Sequence, residues 1–420
     1  MKNKELIVFL KNKELLKRLF FTLVILFIIR VLAKISVPWI DIEYVKTIFT
    51  GNPTFNFYNA ITGGGLENFS IFSLSISPYI TASILIQLST IVFPSFEDLQ
   101  KSGEYGRQEL SKKTHKLSIL LSFLQAWIVA MTFSKSGMVI QGWFPVLTIT
   151  LTLVAGSSLL IWLGNKITEF GIGNGISLIL LMNILSRIPN DAVTLYRLFI
   201  SGNGWRGFLS AIVIVGLVLC IVCLTIALNE AIYKIPVQYA SRINGKKANT
   251  EYIPLKLNVG NIMPVIFASS ILSIPSNIIE TFNIELNGIY ESLYLSTIQE
   301  NWFKPESWKL TIGYFLYIGL LVFFAYFYAD ITFNSEEVAN NLKRSNATIP
   351  SVRPGKPTDE YIKKISSPLI LSGSIALALL CTIPMVISGL LQANVSFAGV
   401  SLIIVTSILV ETYKYIKIYL

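Results

Sequence analysis

Apolar runs of about 20 residues recur from one end of the chain to the other, separated by shorter polar connections. They fall near residues 20–40, 75–93, 116–134, 146–164, 174–189, 208–229, 259–279, 310–330, 368–390 and 398–415. Each is long enough, or nearly so, to cross the ~30 Å hydrocarbon core of a bilayer as a helix. The pattern predicts an all-α integral membrane protein with ten transmembrane helices. One stretch breaks the rhythm. From Tyr58 to Pro94 the chain holds a triple glycine (Gly63, Gly64, Gly65), then Pro78, and only then a true apolar run, Ile80 to Phe93. An unpaired peptide group in hydrocarbon costs several kcal/mol, so broken backbone at membrane depth persists only inside protein or beside water. The stretch therefore reads as a re-entrant piece hinged onto a helix, next to a pore.

Composition agrees and adds an orientation. Of 420 residues, 53% are hydrophobic and 14% charged. Once the spans are marked, no soluble domain of ~100 residues is left over. Lys and Arg number 25 in the N-terminal segment, the tail and the connections on one side of the membrane, and seven on the other, with Arg30 and Lys34 inside the first span. The positive-inside rule then places both termini in the cytoplasm, and the net charge of +10 gathers on that face. The first span is long and lacks an A-x-A-type exit, so it reads as a retained span rather than a cleaved signal peptide. Ten spans divide into two halves of five, 1–206 and 207–420. Because five is odd, the second half enters from the opposite side, which permits a pseudo-symmetric inverted repeat.

Little in the sequence points to chemistry. A coupled transporter keeps acidic residues or histidine deep in its spans; here Glu169, Glu230, Asp330 and Glu411 lie at or close to span ends. Arg30 and Lys34 have two readings, snorkelling or ion pairing near the outer interface, or a substrate site. Cys220 and Cys223 form a C-x-x-C without a second ligand pair, and with Cys381 they read as small helix-packing residues. His115, the one histidine, is placed in a basic connection, SKKTHK. There is no Walker loop, nucleophile elbow or H-E-x-x-H. No enzyme, metal site or cofactor is expected. Two cytosolic connections, 231–258 and 331–365, are too long to be simple links. Arg242, Lys246 and Lys247 surround a predicted hairpin turn at Asn244-Gly245, and Arg353 and Lys356 bracket a rigid Pro-Gly. These charges either enforce topology or dock a large acidic or RNA-containing partner.

Seven pieces, in order and at matching spacing, resemble the SecY family, the channel-forming subunits of the bacterial protein translocase. They are SISPYITASILIQL (75–88), EFGIGNGISLI (169–179), IPVQYASR (235–242), YIPLKLNVGNIMPVIFASSIL (252–272), SEEVANNLKRS (335–345), IPSVRPGKPTDEYI (349–362) and FAGVSLIIV (397–405). The resemblance implies a protein-conducting channel pinched by an aliphatic ring of Ile80, Ile84, Ile176, Leu180, Ile266 and Ile404. It implies a short plug helix at about 59–70, with Asn59, Gly63, Gly64, Gly65, Leu66 and Ser70, whose glycines free it to swing out. Spans two and seven would form a lateral gate opening to membrane lipids, with Gln87 and Gln125 as polar contacts and Pro264 and Pro275 as bends. Arg242, Lys246, Lys247, Arg353 and Lys356 would dock the SecA motor ATPase or a ribosome. SecE and SecG subunits, clients bearing signal sequences, and the bacterial plasma membrane follow from the same resemblance. The sequence departs from the family in three places: Trp39 and Ser75 stand where glycine is usual, Ser77 where methionine is, and the loop after Gly245 is shorter. A secondary transporter for a small solute is the competing reading; it requires mid-span polar residues and no long basic loops. A poreless insertase would need a polar groove facing lipid.

Overall fold

The structure is a computed structural model, and it describes residues 12–41, 43, 62–65, 68–135, 137, 139, 142–197, 204–239, 251–282, 288–303, 305–391 and 400–418. Helix α1 (Lys13–Leu32) starts where the Asn12 side chain accepts the Leu15 N–H, a typical N-cap. After the glycine turns come α2 (Ser77–Val92), with Pro78 in its first turn, and α3 (Pro94–Lys101). Phe93 is extended and Pro94 cannot continue α2, so α3 leaves at 106°. The N-terminal half continues with α4 (Gly103–Lys135), α5 (Trp143–Phe170), α6 (Gly175–Leu185) and α7 (Ile188–Leu195). Then follow α8 (Gly204–Glu230), β1 (Ile232–Tyr239), β2 (Glu251–Lys256), α9 (Met263–Phe282), α10 (Ile289–Thr297) and α11 (Ile312–Thr332). The chain closes with α12 (Ser335–Arg344), β3 (Ala347–Thr348), α13 (Lys356–Leu391) and α14 (Ser401–Ile418).

Ten of these helices (α1, α2, α4, α5, α6, α8, α9, α11, α13, α14) follow the ten predicted spans in order. Large apolar side chains such as Phe20, Phe27, Trp162, Leu219, Phe315 and Leu379 face outward, as lipid requires. Inside, glycine sets the approach of neighbouring elements. A Cβ on Gly156 would lie 2.1 Å from the Ile71 carbonyl, and one on Gly175 1.9 Å from the Gly164 carbonyl. Backbones meet there because nothing larger than hydrogen intervenes.

Two sequence expectations are corrected. His115 is not in a loop: SKKTHK continues α4, since no breaker follows Gly106 before the helix ends. Its Nε2 lies 2.7 Å from Asn165 Nδ2 on α5, and its ring packs on Tyr79. Pro264 does not bend span seven either. It sits in the first turn of α9, where a missing N–H costs nothing. Pro275 is inside the helix.

The two long basic connections fold together. β1 and β2 pair antiparallel from Ile232↔Lys256 to Val237↔Glu251, the predicted hairpin, and β3 joins the other edge through Gln238↔Thr348 and Tyr239↔Ala347. Alternation along β1 points Ile235 and Val237 to one face. There they meet Leu255, Leu342, Ile349 and Ile362 in a small core separate from the membrane bundle. The sheet is thus a modest addition to a helical fold.

Candidate functional site

The six aliphatic positions lie on four helices of the bundle. Ile80 and Ile84 lie one turn apart on α2 and so share a face. On α6 the order is set by Asn174, whose side chain accepts the Ile176 and Ser177 N–H groups and starts the helix there. Ile176 therefore stands in the first turn and Leu180 one turn later. Ile266 comes from α9 and Ile404 from α14. Ile84, Leu180, Ile266 and Ile404 are buried in a single hydrophobic cluster, and Ile80 and Ile176 pack half-buried against it. Behind Ile176 there is no slack: its Cγ1 would lie 3.1 Å from a Cβ on Gly164.

The glycine stretch lies beside this cluster. Gly63 and Gly64 have φ of 65° and 81°, the left-handed region that favours glycine. The Gly63 carbonyl accepts from Arg30 Nη1 at 3.5 Å and from Ser186 Oγ at 3.4 Å. One turn back on α6, Asn183 Nδ2 donates to Ser75 Oγ at 3.1 Å. The Ser70 backbone N–H and Ser73 Oγ both donate to the Gly65 carbonyl, and Ser70 also forms a bridge with Ser36. The described part of the plug stretch, 62–65 and 68–70, runs as turns apart from Thr62 and the bridged Ser70, while Asn59 and Leu66 lie outside the described residues. Arg30 thus points inward to a backbone carbonyl, a partner its position in the sequence did not reveal.

At the predicted gate, α2 and α4 both pack against α9. Gln87 on α2 donates to Ser83 Oγ at 3.0 Å and reaches Tyr328 Oη on α11 at 3.5 Å. Tyr328 and Phe324 each set a ring edge-on against Phe267 of α9, at centroid distances of 5.4 and 5.7 Å respectively. Gln125 is half-buried on α4. Tyr328 was missed because nothing local in an aromatic-rich span marks one tyrosine among several.

On the predicted cytosolic loops Arg353 and Lys356 are exposed. The turn that presents them is fixed by Gly355 at φ 99° and by a Thr358 hydroxyl donating to the Arg353 carbonyl. Arg242, Lys246 and Lys247 lie outside the described residues. Beneath the sheet, buried amides tie α8, the start of α9 and α14 together. Asn229 donates to Ser407 at 2.8 Å, while Asn258 donates to Asn229 Oδ1 at 3.0 Å and to the Asn261 carbonyl at 2.9 Å. Lys414 donates to the Asn229 carbonyl, and Asn261 to Glu411.

The chain is similar to known proteins along nearly its whole length. The SecY family profile covers residues 70–413. The protein translocase subunit SecY of Rickettsia bellii is 37% identical, across 97% of this chain and 94% of that protein. The chain belongs to the SecY family. The SecY of Mycoplasma capricolum is 35% identical over 97% of this chain and 87% of that protein. In three dimensions, a solved protein-conducting channel superposes with a TM-score of 0.66 at 19% identity, covering 96% of this chain and 92% of the other. Sec61 from the canine ribosome–channel complex gives 0.62 at 18% identity over 96% and 92%. As a SecY-family member the chain is a multi-pass membrane protein and the protein-conducting channel subunit of a translocase. The secondary-transporter reading is set aside.

Proposed function

We propose that unfolded polypeptides cross the membrane through the ring of Ile80, Ile84, Ile176, Leu180, Ile266 and Ile404. The segment at about 59–70 closes the outer side at rest, and α2 and α9 part to release transmembrane segments into lipid. The observation that supports this is that six aliphatic side chains from four helices all belong to, or pack against, one hydrophobic cluster with no charged member. Such a constriction sheds water and blocks ions, yet can yield around a chain because no hydrogen bond holds it shut. A continuous aqueous path is what the task demands, since extended backbone and charged side chains are costly in hydrocarbon. The halves 1–206 and 207–420 serve as the two walls of the pore. Energy comes from outside: SecA or a ribosome docks on Arg242, Lys246, Lys247, Arg353 and Lys356. The sheet that joins both basic loops supports this, because it presents them as one platform. SecE and SecG subunits complete the assembly in the bacterial plasma membrane, with both termini cytoplasmic.

A cysteine at Ile176, in a chain stripped of Cys220, Cys223 and Cys381, tests the path. In proteoliposomes with SecA, ATP and a preprotein stalled by a folded domain, a single mid-chain cysteine should form a disulfide with position 176 only when ATP is present. If the motor engages and no ring position forms such a bond, the ring assignment is wrong.

A further inference from the structure

Arg30 stands in the last turn of α1, an apolar helix. A guanidinium within a span is costly unless it faces protein or water and finds acceptors. Its neighbour one turn on, Lys34, is exposed, whereas Arg30 is half-buried and reaches the Gly63 carbonyl. Ser186 on α6 meets the same carbonyl from another side. Two spans that are far apart in sequence therefore grip one peptide group of the glycine turn.

The two glycines of that turn differ in their surroundings. A Cβ on Gly63 would lie 2.9 Å from Arg30 Nη1 and 2.9 Å from the Asn183 Cα, whereas one on Gly64 would meet nothing within 4 Å. Gly64 is needed for its backbone angle alone. Gly63 is needed also for close approach, so that Arg30 and α6 can reach its peptide. Next to them, Ser75 holds a left-handed φ of 49° that favours glycine, while its hydroxyl accepts from Asn183.

We propose that Arg30 and Ser186 form a clasp on the Gly63 carbonyl that keeps the plug seated, and that releasing this clasp is a step in opening the channel. The proposal rests on the reading of this stretch as a plug. Arg30 acts here as a positioning residue. With the plug gone its charge faces the wet outer vestibule, where water replaces the lost carbonyl.

The test is the resting ion conductance of the full-length chain, co-purified with SecE- and SecG-type subunits, in planar bilayers. A chain lacking 59–70 serves as the plug control and should leak. Arg30→Leu should raise resting conductance about two- to threefold, the scale of losing one long hydrogen bond, and Arg30→Lys should restore most of the seal. Ser186→Ala should leak less than Arg30→Leu. Gly63→Ala, which leaves the α1 charge in place but crowds the carbonyl out of reach, should also leak and decides the matter if Arg30→Leu does not assemble. A leaking plug control with Arg30→Leu and Gly63→Ala both sealed would overturn the clasp and leave the plug reading standing. A sealed plug control would overturn both.

Discussion

Two polar contacts in this molecule sit in similar apolar surroundings and are built in opposite ways. Below the three-stranded sheet, Asn229 is engaged through its amide NH2, its side-chain oxygen and its backbone carbonyl, by Ser407, Asn258 and Lys414. At the front, Gln87 reaches α11 through one 3.5 Å contact with Tyr328. A multiply satisfied buried network fixes register, because losing any member strands the others in low dielectric. A single long hydrogen bond near the limit of useful geometry exchanges at little cost. The first seam resists separation, whereas the second, at the proposed gate, can part at little cost.

The contrast can be broken from either side. Asn258→Leu should cost the most, about 2–4 kcal/mol, because the Asn229 side-chain oxygen and the Asn261 carbonyl both lose a donor. Thermal unfolding in detergent reads this, and a Tm equal to that of a Gln87→Ala chain would erase the distinction. Gly175→Ala comes next, at about 1–3 kcal/mol, since the new methyl meets the Gly164 carbonyl; the same scan measures it. Tyr328→Phe should leave Tm almost unchanged. By loosening the front seam by about 0.5–1 kcal/mol it should raise export of a preprotein with a weakened signal sequence two- to fivefold or so; unchanged export would remove Tyr328 from the gate.

The smallest effect concerns the platform. Burial would raise the Asp359 carboxyl, but hydrogen bonds from Ser335 and Lys363 prevail and hold it below the usual range. The hydrogen bond to Asp359 in turn raises Lys363. A depressed acid contributes stability above its unfolded pKa and loses it as pH falls through the folded one, whereas the raised lysine loses its share only in strong base. The tie between the starts of α12 and α13 should therefore hold at neutral pH and weaken in acid by less than about 1 kcal/mol. Asp359→Asn should flatten that acid limb in a pH series of melts.

The spans were legible because each is a local pattern, and so was the antiparallel pairing of β1 with β2. The proposed ring positions rest on motifs, since an isoleucine in a span looks the same whether it lines a pore or meets lipid. Two departures from the family were informative in advance. Trp39 and Ser75, where glycine is usual, both have left-handed φ, 71° and 49°, a strain of about 1–3 kcal/mol each. What escaped were contacts between distant residues. Arg30 with Gly63, Gln87 with Tyr328 and Asn229 with Ser407 are separated by 33, 241 and 178 positions, and no periodicity reports such a pairing. The sheet's third strand escaped for the same reason: two residues, Ala347 and Thr348, are too short a run to read as β.

The glycine contact between α5 and α6 has a mechanical consequence. Gly175 rests on the Gly164 carbonyl and Ile176 lies against the same glycine, so these two helices are already at their closest approach. Ile176 and Leu180 have nowhere to retreat. If the proposed ring lines the path, they act like the fixed jaw of a vice. A bulky segment would then make room by displacing other helices, and their stroke would set the widest client admitted.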